Sequence, residues 1–179
     1  MSREIHIVGF RVGRETYGVP ITSLHEIVRV PEITVVPDAP DYLEGVINLR
    51  GKIVSVVDLR KRFGKPSAGI DRRRILVVEH RGRLAGMIVD SASEVLKIPE
   101  SDIEAAPAMM QEGGLDCVTG LGKYRGRLII LLDISKVLAA RELGNEASAE
   151  KLAQKPAAAG SGKAGTGTAT ITKTASAGK

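Results

Sequence analysis

The sequence predicts a mainly β fold built from two similar small barrels. Residues 45–60 recur in looser form from residue 120, with two glycines, an arginine and an aspartate in step at a spacing of 75. Residues 18–30 match residues 86–98 without a gap, at a spacing of 68. Two copies are too few for a solenoid, and units of ~60–70 residues suit small five-stranded barrels. We therefore expect an internal duplication.

The first copy alternates β-like segments with turn signals. Residues 5–12 are rich in β-branched residues, and the turn at residues 13–15 ends them. Residues 53–57 form an apolar run that follows the turn at residues 50–52. The run is too short for an isolated helix and too continuous for a half-exposed strand, so both its faces are expected to be buried. The turn glycine supplies the positive φ that a hairpin needs.

The second copy repeats this pattern and adds a helix. Residues 75–80, the turn at 81–83 and the buried run at 128–132 correspond to the first copy. Residues 133–142 form an amphipathic pattern with an aspartate at its start, which predicts a short C-terminal helix. We expect barrel subdomains at approximately 14–72 and at 73–132 together with the N-terminal strand.

Residues 143–179 have a different composition and are predicted to be a disordered tail. They contain five lysines and two glutamates, and this charge of +3 leaves only +2 of the total +5 for residues 1–142. From residue 156 onward the only strongly apolar residue is Ile171, so the segment cannot bury enough surface to order itself. We interpret the tail as a solubilising or tethering extension, and the remaining charge is too small to indicate a nucleic-acid surface.

The composition also argues against several other functions. The chain has no Trp, two Phe and three Tyr, which argues against aromatic platforms that stack bases or sugars. Its single cysteine, Cys117, excludes an internal disulfide and a cysteine-based zinc site. No apolar run approaches the ~18 residues of a membrane span, so we expect a soluble, cytoplasmic protein.

A search for catalytic chemistry yields no candidate, and we expect no enzyme, cofactor or metal site. The three histidines, His6, His25 and His80, follow no ligand or catalytic spacing. The glycine-rich stretch at 119–123 continues into a strand, whereas a phosphate-binding loop opens a helix. Three aspartates end apolar runs, where this residue commonly caps a turn or helix: Asp58, Asp90 and Asp133. The basic triplets at 60–62 and 72–74 are interpreted as solvated faces.

One pair of oppositely charged residues recurs in both repeats. Glu26 and Arg50 both lie in the repeated segments, and they recur as Glu94 and Arg125. One interpretation is an ion pair within each barrel, because arginine makes a good bidentate partner for a carboxylate. The other is a polar anchor at a protein interface, where arginine is over-represented. The two interpretations are compatible.

The motifs together resemble the CheW family of bacterial chemotaxis coupling proteins. The signature is Gly-Val-Ile-Asn-Leu-Arg-Gly at 45–51, followed by Val-Val-Asp-Leu-Arg at 56–60. Further matches include residues 17–21, 26–28, 86–90 and 131–133, and the similarity extends over about residues 5–142. Ser55 departs from the proline that the family often has there. The tail has no counterpart in the family pattern.

The resemblance implies two SH3-like five-stranded barrels and an adaptor function. The expected partners are the cytoplasmic hairpin tip of a chemoreceptor, the regulatory domain of the histidine kinase CheA, and further CheW copies in rings, at membrane-associated receptor arrays. The family's receptor hairpin docks in an apolar groove between the subdomains, and the kinase makes barrel-to-barrel contacts. Carried over by motif position, the partner-binding residues are Leu24, Glu26, Gly45, Asn48, Arg50, Gly86 and Ala92.

Other functions remain as alternatives to motility-linked coupling. One alternative is a CheW paralogue that acts in a pilus or biofilm array. Another is a nucleic-acid-binding protein with SH3-like barrels and a basic tail. A small enzyme without a recognisable motif is a third alternative. A complete CheA or a receiver-domain fusion needs more residues than the chain offers, so a stand-alone coupling protein is expected.

Overall fold

The computed structural model describes residues 3–66, 72–112 and 115–139. Its structure in these ranges is mainly β, as predicted. The strands are β1 (Glu4–Val12), β2 (Glu15–Pro20), β3 (Leu24–Arg29), β4 (Leu43–Leu49), β5 (Lys52–Asp58), β6 (Arg74–His80), β7 (Arg83–Val89), β8 (Ser91–Pro99), β9 (Ile103–Ala105), β10 (Val118–Tyr124) and β11 (Arg127–Leu132).

Three short helices and two 3₁₀ turns connect these strands. The helices are α1 (Leu59–Arg62), α2 (Ala108–Glu112) and α3 (Ile134–Leu138), and the 3₁₀ turns are Ile21–Ser23 and Glu100–Asp102. The predicted caps are confirmed for α1 and α3, since Asp58 accepts a hydrogen bond from the Arg60 backbone N–H and Asp133 from that of Ser135 (both 2.8 Å). Residues 140–142 of the predicted helix and the whole predicted tail lie outside the described residues.

The strands form two sheets, each curled into a small barrel. Barrel 1 has the order β3-β6-β7-β5-β4, and barrel 2 has the order β8-β1-β2-β11-β10-β9. In each barrel one parallel pair, β5 with β7 or β11 with β2, lies among antiparallel neighbours. The predicted fold class, two small barrels from a duplication, is confirmed.

A bent segment closes each barrel by pairing with strands at both edges. In barrel 2, β8 pairs with β1 and its continuation β9 pairs with β10. In barrel 1, β3 pairs with β6, and Thr34 further along forms two backbone hydrogen bonds of 2.8 and 2.9 Å with Val46 of β4. Gly45 permits this approach, because a β-carbon there would lie 2.1 Å from the Thr34 carbonyl oxygen, and its φ is +147°.

The barrels do not coincide with the sequence repeats, because the repeats exchange hairpins. The hairpin β1–β2 belongs to the first repeat but pairs with β8 and β11 in barrel 2. The hairpin β6–β7 belongs to the second repeat but pairs with β3 and β5 in barrel 1. The expected subdomain boundaries of 14–72 and 73–132 therefore need correction, since β2 lies in barrel 2 while β6 and β7 lie in barrel 1. The repeat spacing shows which segments are alike, but it carries no information on which copies pair.

The core has three parts, and successive residues of one strand can belong to different parts. Ile75 and Val77 of β6 point into barrel 1, whereas Leu76 and Val78 join a central cluster between the barrels. Ile7 and Leu96 are among the buried residues inside barrel 2. The central cluster contains side chains of both barrels, so it acts as a shared core that neither barrel has alone.

Charged side chains add directional contacts between the barrels. They lie on residues 59–65, which follow β5 and which we call the arm. The Arg60 guanidinium binds both carboxylate oxygens of Asp90 (2.6 and 2.5 Å), and Asp90 also accepts a hydrogen bond from the Gly13 N–H (2.6 Å) in barrel 2. Burial raises the pKa of Asp90, yet the hydrogen bonds from Arg60 and Gly13 outweigh it and hold this pKa below its ordinary value.

In the described residues no helix has the length and apolar character needed to cross a membrane.

Gly45→Ala is expected to lower the free energy of unfolding by about 3 kcal/mol, because the new methyl meets the Thr34 carbonyl in a backbone region that only glycine adopts readily. Gly51→Ala is the matched control. Its φ is also positive but no atom lies within 4 Å of the added carbon, so the loss is about 1 kcal/mol. Urea unfolding followed by circular dichroism measures both, and equal losses would contradict the role assigned to Gly45.

Asp90→Asn is expected to lower stability by about 2 kcal/mol at pH 7, because it breaks a charge-assisted hydrogen-bond network. The folded pKa of Asp90 is depressed, so its contribution is present above about pH 4 and is lost as pH falls through the folded pKa. The difference between variant and wild type should therefore shrink in acid. Thermal unfolding between pH 2.5 and 7 tests this, with the exposed Asp38→Asn as control, and a pH-independent difference would refute it.

Candidate partner-binding surface

Glu26 and Arg50 form the ion pair that one of the two interpretations expected. The two guanidinium nitrogens of Arg50 donate to the two carboxylate oxygens of Glu26 at 3.1 and 2.9 Å. The Arg50 side chain is 77% exposed and that of Glu26 is 19% exposed. The carboxylate thus holds an arginine whose outer surface faces solvent, so one contact can satisfy both interpretations.

The turn that presents Arg50 is a two-residue hairpin between β4 and β5. Arg50 has a φ of +50° and Gly51 one of +84°, the signs that a type I′ turn requires. Asn48 stabilises the turn, since its Oδ1 accepts a hydrogen bond from the Gly51 N–H at 2.8 Å. Asn48, Arg50 and Glu26 therefore lie together at one end of barrel 1.

The second copy of this pair is different from the expectation. Glu94 pairs with Arg127 (3.0 Å), and the Arg125 guanidinium lies over the Tyr124 ring, 5.3 Å from its centroid. The turn itself is conserved between the copies, because Arg125 also has a positive φ, +49°. The expected Glu94–Arg125 pair is therefore wrong, since the ring offers that guanidinium another partner. Arg127 stands at the position of Lys52 in the first copy, so the second copy has a cation two residues after the turn arginine as well.

Leu24 and Ala92 lie where the chain crosses from one barrel to the other. Leu24 opens β3 directly after the 3₁₀ turn, and Ala92 is the second residue of β8, which begins after Asp90. Both are partly buried against the central cluster. They occupy equivalent positions in the two barrels, so the predicted set includes one residue at each crossing.

The two predicted glycines, Gly45 and Gly86, lie where an added side chain would not fit. Gly86 is buried in β7, and a β-carbon there would lie 2.8 Å from Ile75 and 3.3 Å from Val56. Gly45 permits barrel closure as described above. Of the seven predicted residues, the structure brings Glu26, Asn48 and Arg50 together, places Leu24 on the same strand as Glu26, and sets the two glycines inside barrel 1 and Ala92 in barrel 2.

Four large apolar side chains remain exposed at equivalent positions of the two barrels. Ile27 and Val95 are 44% and 54% exposed on β3 and β8, and Ile53 and Leu128 are 41% and 52% exposed on β5 and β11. This corrects the expectation that residues 53–57 and 128–132 are buried on both faces, because the first residue of each run lies at the hairpin end of its strand, next to the exposed turn. The repeat alignment could have identified these four residues, since it pairs them.

The basic triplets are less solvated than expected. In the first, the side chains of Arg60 and Arg62 are 14% and 16% exposed and pair with Asp90 and Asp116. In the second, Arg73 is buried and pairs with Asp58 at 3.1 Å. A run of like charges in the sequence does not reveal the carboxylates that the fold brings close from distant parts of the chain.

Burial also shifts the pKa of titratable groups outside these ion pairs. Burial raises the pKa of Tyr17 to about 12 and also raises the pKa of the Cys117 thiol, so both stay protonated at neutral pH. Within residues 3–66, 72–112 and 115–139, no three His, Cys, Asp or Glu side chains are grouped in a way that could hold a metal ion.

Comparison with known proteins assigns this arrangement to a family. The profile of the CheW-like domain matches residues 6–142. The chemotaxis protein CheW of Klebsiella aerogenes is 36% identical over 135 residues, which are 75% of this chain and 81% of the relative. CheW of Helicobacter pylori is 33% identical with the same coverage. Protein PilI of Pseudomonas aeruginosa is 32% identical over 93 residues, 51% of this chain and 52% of the relative.

A solved structure supports the same assignment. The crystal structure of the scaffolding protein TtCheW from Thermoanaerobacter tengcongensis superposes with a TM-score of 0.70 at 36% sequence identity, and the match covers 79% of this chain and 96% of that one. The barrel fold, the signature at residues 45–60 and the family match over residues 6–142 all indicate the same family. The chain belongs to the CheW family of chemotaxis scaffold proteins.

Proposed function

We propose that this protein is a non-enzymatic adaptor that couples chemoreceptors to the histidine kinase CheA in signalling arrays. The cytoplasmic hairpin tip of the receptor occupies the region between the barrels, and the regulatory domain of CheA contacts a barrel exterior. Further copies of the chain extend the contacts into rings. The protein acts in the cytoplasm, at membrane-associated arrays.

The observation that carries this proposal is the repetition of exposed features on the two barrels. Ile27 matches Val95, and Ile53 matches Leu128, all exposed. Single exposed apolar residues are common on any protein, whereas the same positions left exposed on both copies indicate two related contact surfaces. An adaptor needs at least two such surfaces, because its effect comes from linking partners rather than from chemistry of its own.

The polar anchor for one partner is the Arg50 side chain. It is exposed, yet Glu26 holds its guanidinium in one geometry, so little side-chain entropy is lost when a partner binds. Leu24, at the crossing of the chain, offers an apolar edge beside the central cluster. The apolar edge suits a helical hairpin, and the preoriented arginine suits a barrel surface. The two features therefore fit two different partners.

The similarity to PilI supports a second candidate for the output of the array. That match covers about half of each chain. A coupling protein of an array with another output would use the same surfaces. The identity of the receptor and kinase that bind most tightly would distinguish the two.

Arg50→Ala is expected to weaken at least one partner by tenfold or more, because it removes a preoriented anchor. Leu24→Asp is expected to do the same for the receptor fragment by placing a charge in an apolar contact. Isothermal titration with a receptor cytoplasmic fragment and with a CheA regulatory domain measures both effects.

The controls for this experiment are two exposed positions outside the proposed surfaces. Arg72→Ala removes an exposed arginine that precedes β6, and Val35→Asp makes an apolar-to-charged change like Leu24→Asp at a residue that is 72% exposed. Circular dichroism confirms that each variant is folded. If the folded wild type binds neither fragment but binds DNA tightly at physiological salt, the nucleic-acid alternative replaces the proposal.

Truncation after Gly144 is expected to leave both affinities within about twofold, because residues 156–179 offer little apolar surface for a stable contact. The same titrations measure it against the full chain. A tenfold loss of either affinity would show that the tail contributes directly to binding.

A further inference from the structure

We propose that the arm, residues 59–65, fixes the angle between the barrels and that Arg60 is its positioning residue for the partner seated between them. This inference rests on the proposed function. It assigns a role in binding to residues that lie outside the expected partner-binding set.

The arm makes three ion pairs with barrel 2 and with the crossing that leads to it. Arg60 pairs with Asp90 (2.5 Å), Arg62 with Asp116 (3.6 Å) and Lys65 with Glu15 (2.5 Å). Other ion pairs join groups of one barrel, among them Arg50 with Glu26 and Lys123 with Glu104. One short segment thus carries several directional contacts between the barrels.

An aromatic contact extends this attachment. Phe63 of the arm stacks on Tyr17 of β2 with ring centroids 5.0 Å apart, and Tyr17 stacks in turn on Phe10 of β1 at 6.0 Å. The arm therefore contacts the hairpin β1–β2 with both charged and aromatic side chains, although it directly follows β5 of barrel 1.

The carboxylate that Arg60 binds is itself attached to barrel 2. The Asp90 N–H donates to the Arg11 carbonyl (2.9 Å), and the Asp90 carboxylate accepts from the Gly13 N–H (2.6 Å). Asp90 also directly precedes β8, the strand that contains Ala92. A displacement at Arg60 is therefore transmitted to the start of β8 and to the β1–β2 turn.

The pseudo-equivalent joint has uncharged residues in place of this pair. At the repeat spacings, Arg60 corresponds to Ser135 and Asp90 to Thr22. There α3 packs against the central cluster with the apolar residues Ile134, Val137 and Leu138. Apolar contacts stabilise the association of the barrels but are not directional, whereas a bidentate arginine–carboxylate pair fixes an orientation. One joint thus has a directional charged pair where the other has uncharged residues and apolar packing.

This asymmetry predicts different effects on the two partners. A hairpin seated between the barrels contacts both, so its affinity falls when the barrels sample a range of angles and only part of the population is competent. A regulatory domain that contacts the exterior of one barrel does not depend on the angle. Loss of the Arg60 contact should therefore weaken the first partner selectively.

The test compares Arg60→Gln with Lys61→Gln, a control on the same helical turn whose partner, Glu44, lies in barrel 1. Asp90→Asn removes the other half of the pair. Residual dipolar couplings of the free protein measure the angle between the barrels, and isothermal titration measures affinity for the receptor fragment and the CheA regulatory domain separately. If Arg60→Gln does not fold, Arg60→Lys replaces it, since it keeps the charge and loses the bidentate geometry.

We expect Arg60→Gln and Asp90→Asn to weaken receptor binding five- to twentyfold, with kinase binding within twofold and a changed or broadened inter-barrel angle. The double variant should be no weaker than the worse single variant, because the two residues act as a pair. Wild-type angles in Arg60→Gln, or equal losses for both partners, would overturn the inference. If wild type binds neither fragment, the proposed function fails, while the dipolar couplings still show whether the arm fixes the angle.

Discussion

The exchange of hairpins between the repeats is the constraint on which the rest of the structure depends. Barrel 1 has no complete wall without β6–β7, and barrel 2 has none without β1–β2. The chain must therefore cross between the barrels twice, at residues 21–23 and at Asp90, and both crossings lie beside the central cluster. The barrels share covalent connections and an apolar core, so neither is an independent domain. The surface between them is consequently part of a single folded unit.

Two-sided burial follows from this exchange and leaves little room for variation in the strands. Consecutive residues of β6 fill different cores, with Leu76 in the central cluster and Val77 inside barrel 1. Accessible side chains thus lie at strand starts, turns and crossings and on the outer faces of β3 and β8. Ile53 and Leu128, the Arg50 turn and the crossing residues Leu24 and Ala92 belong to the first group, and Ile27 and Val95 to the second. The proposed partner contacts use the parts of the repeat that the shared core leaves accessible.

The sequence was sufficient for those features that depend on local chemistry. The apolar runs, the Arg-Gly turns and the aspartate caps at Asp58 and Asp133 follow from short segments, and the structure contains all of them. It was insufficient where two distant segments compete for a partner. Glu94 pairs with Arg127 and not with the repeated Arg125, and Arg73 is buried by a pair with Asp58, which lies 15 positions away in sequence. The repeat spacing likewise reveals similarity between copies but cannot tell which copy supplies a hairpin to which barrel.

The exchanged hairpins also determine the order in which a growing chain can fold. Strands β3 to β7 are complete once residue 89 has been synthesised, so barrel 1 can close at that stage. The hairpin β1–β2 is made first, but its barrel needs β10 and β11, which end at Leu132. At the usual ribosomal rate of about 5–20 residues per second, the interval between the synthesis of β2 and that of β11 is on the order of ten seconds. Until then Phe10, Val12 and Val19, all fully buried in the finished protein, lack the neighbours that β10, β11 and α3 supply to the central cluster. Of the described strands, the first to be synthesised are thus among the last to be fully buried.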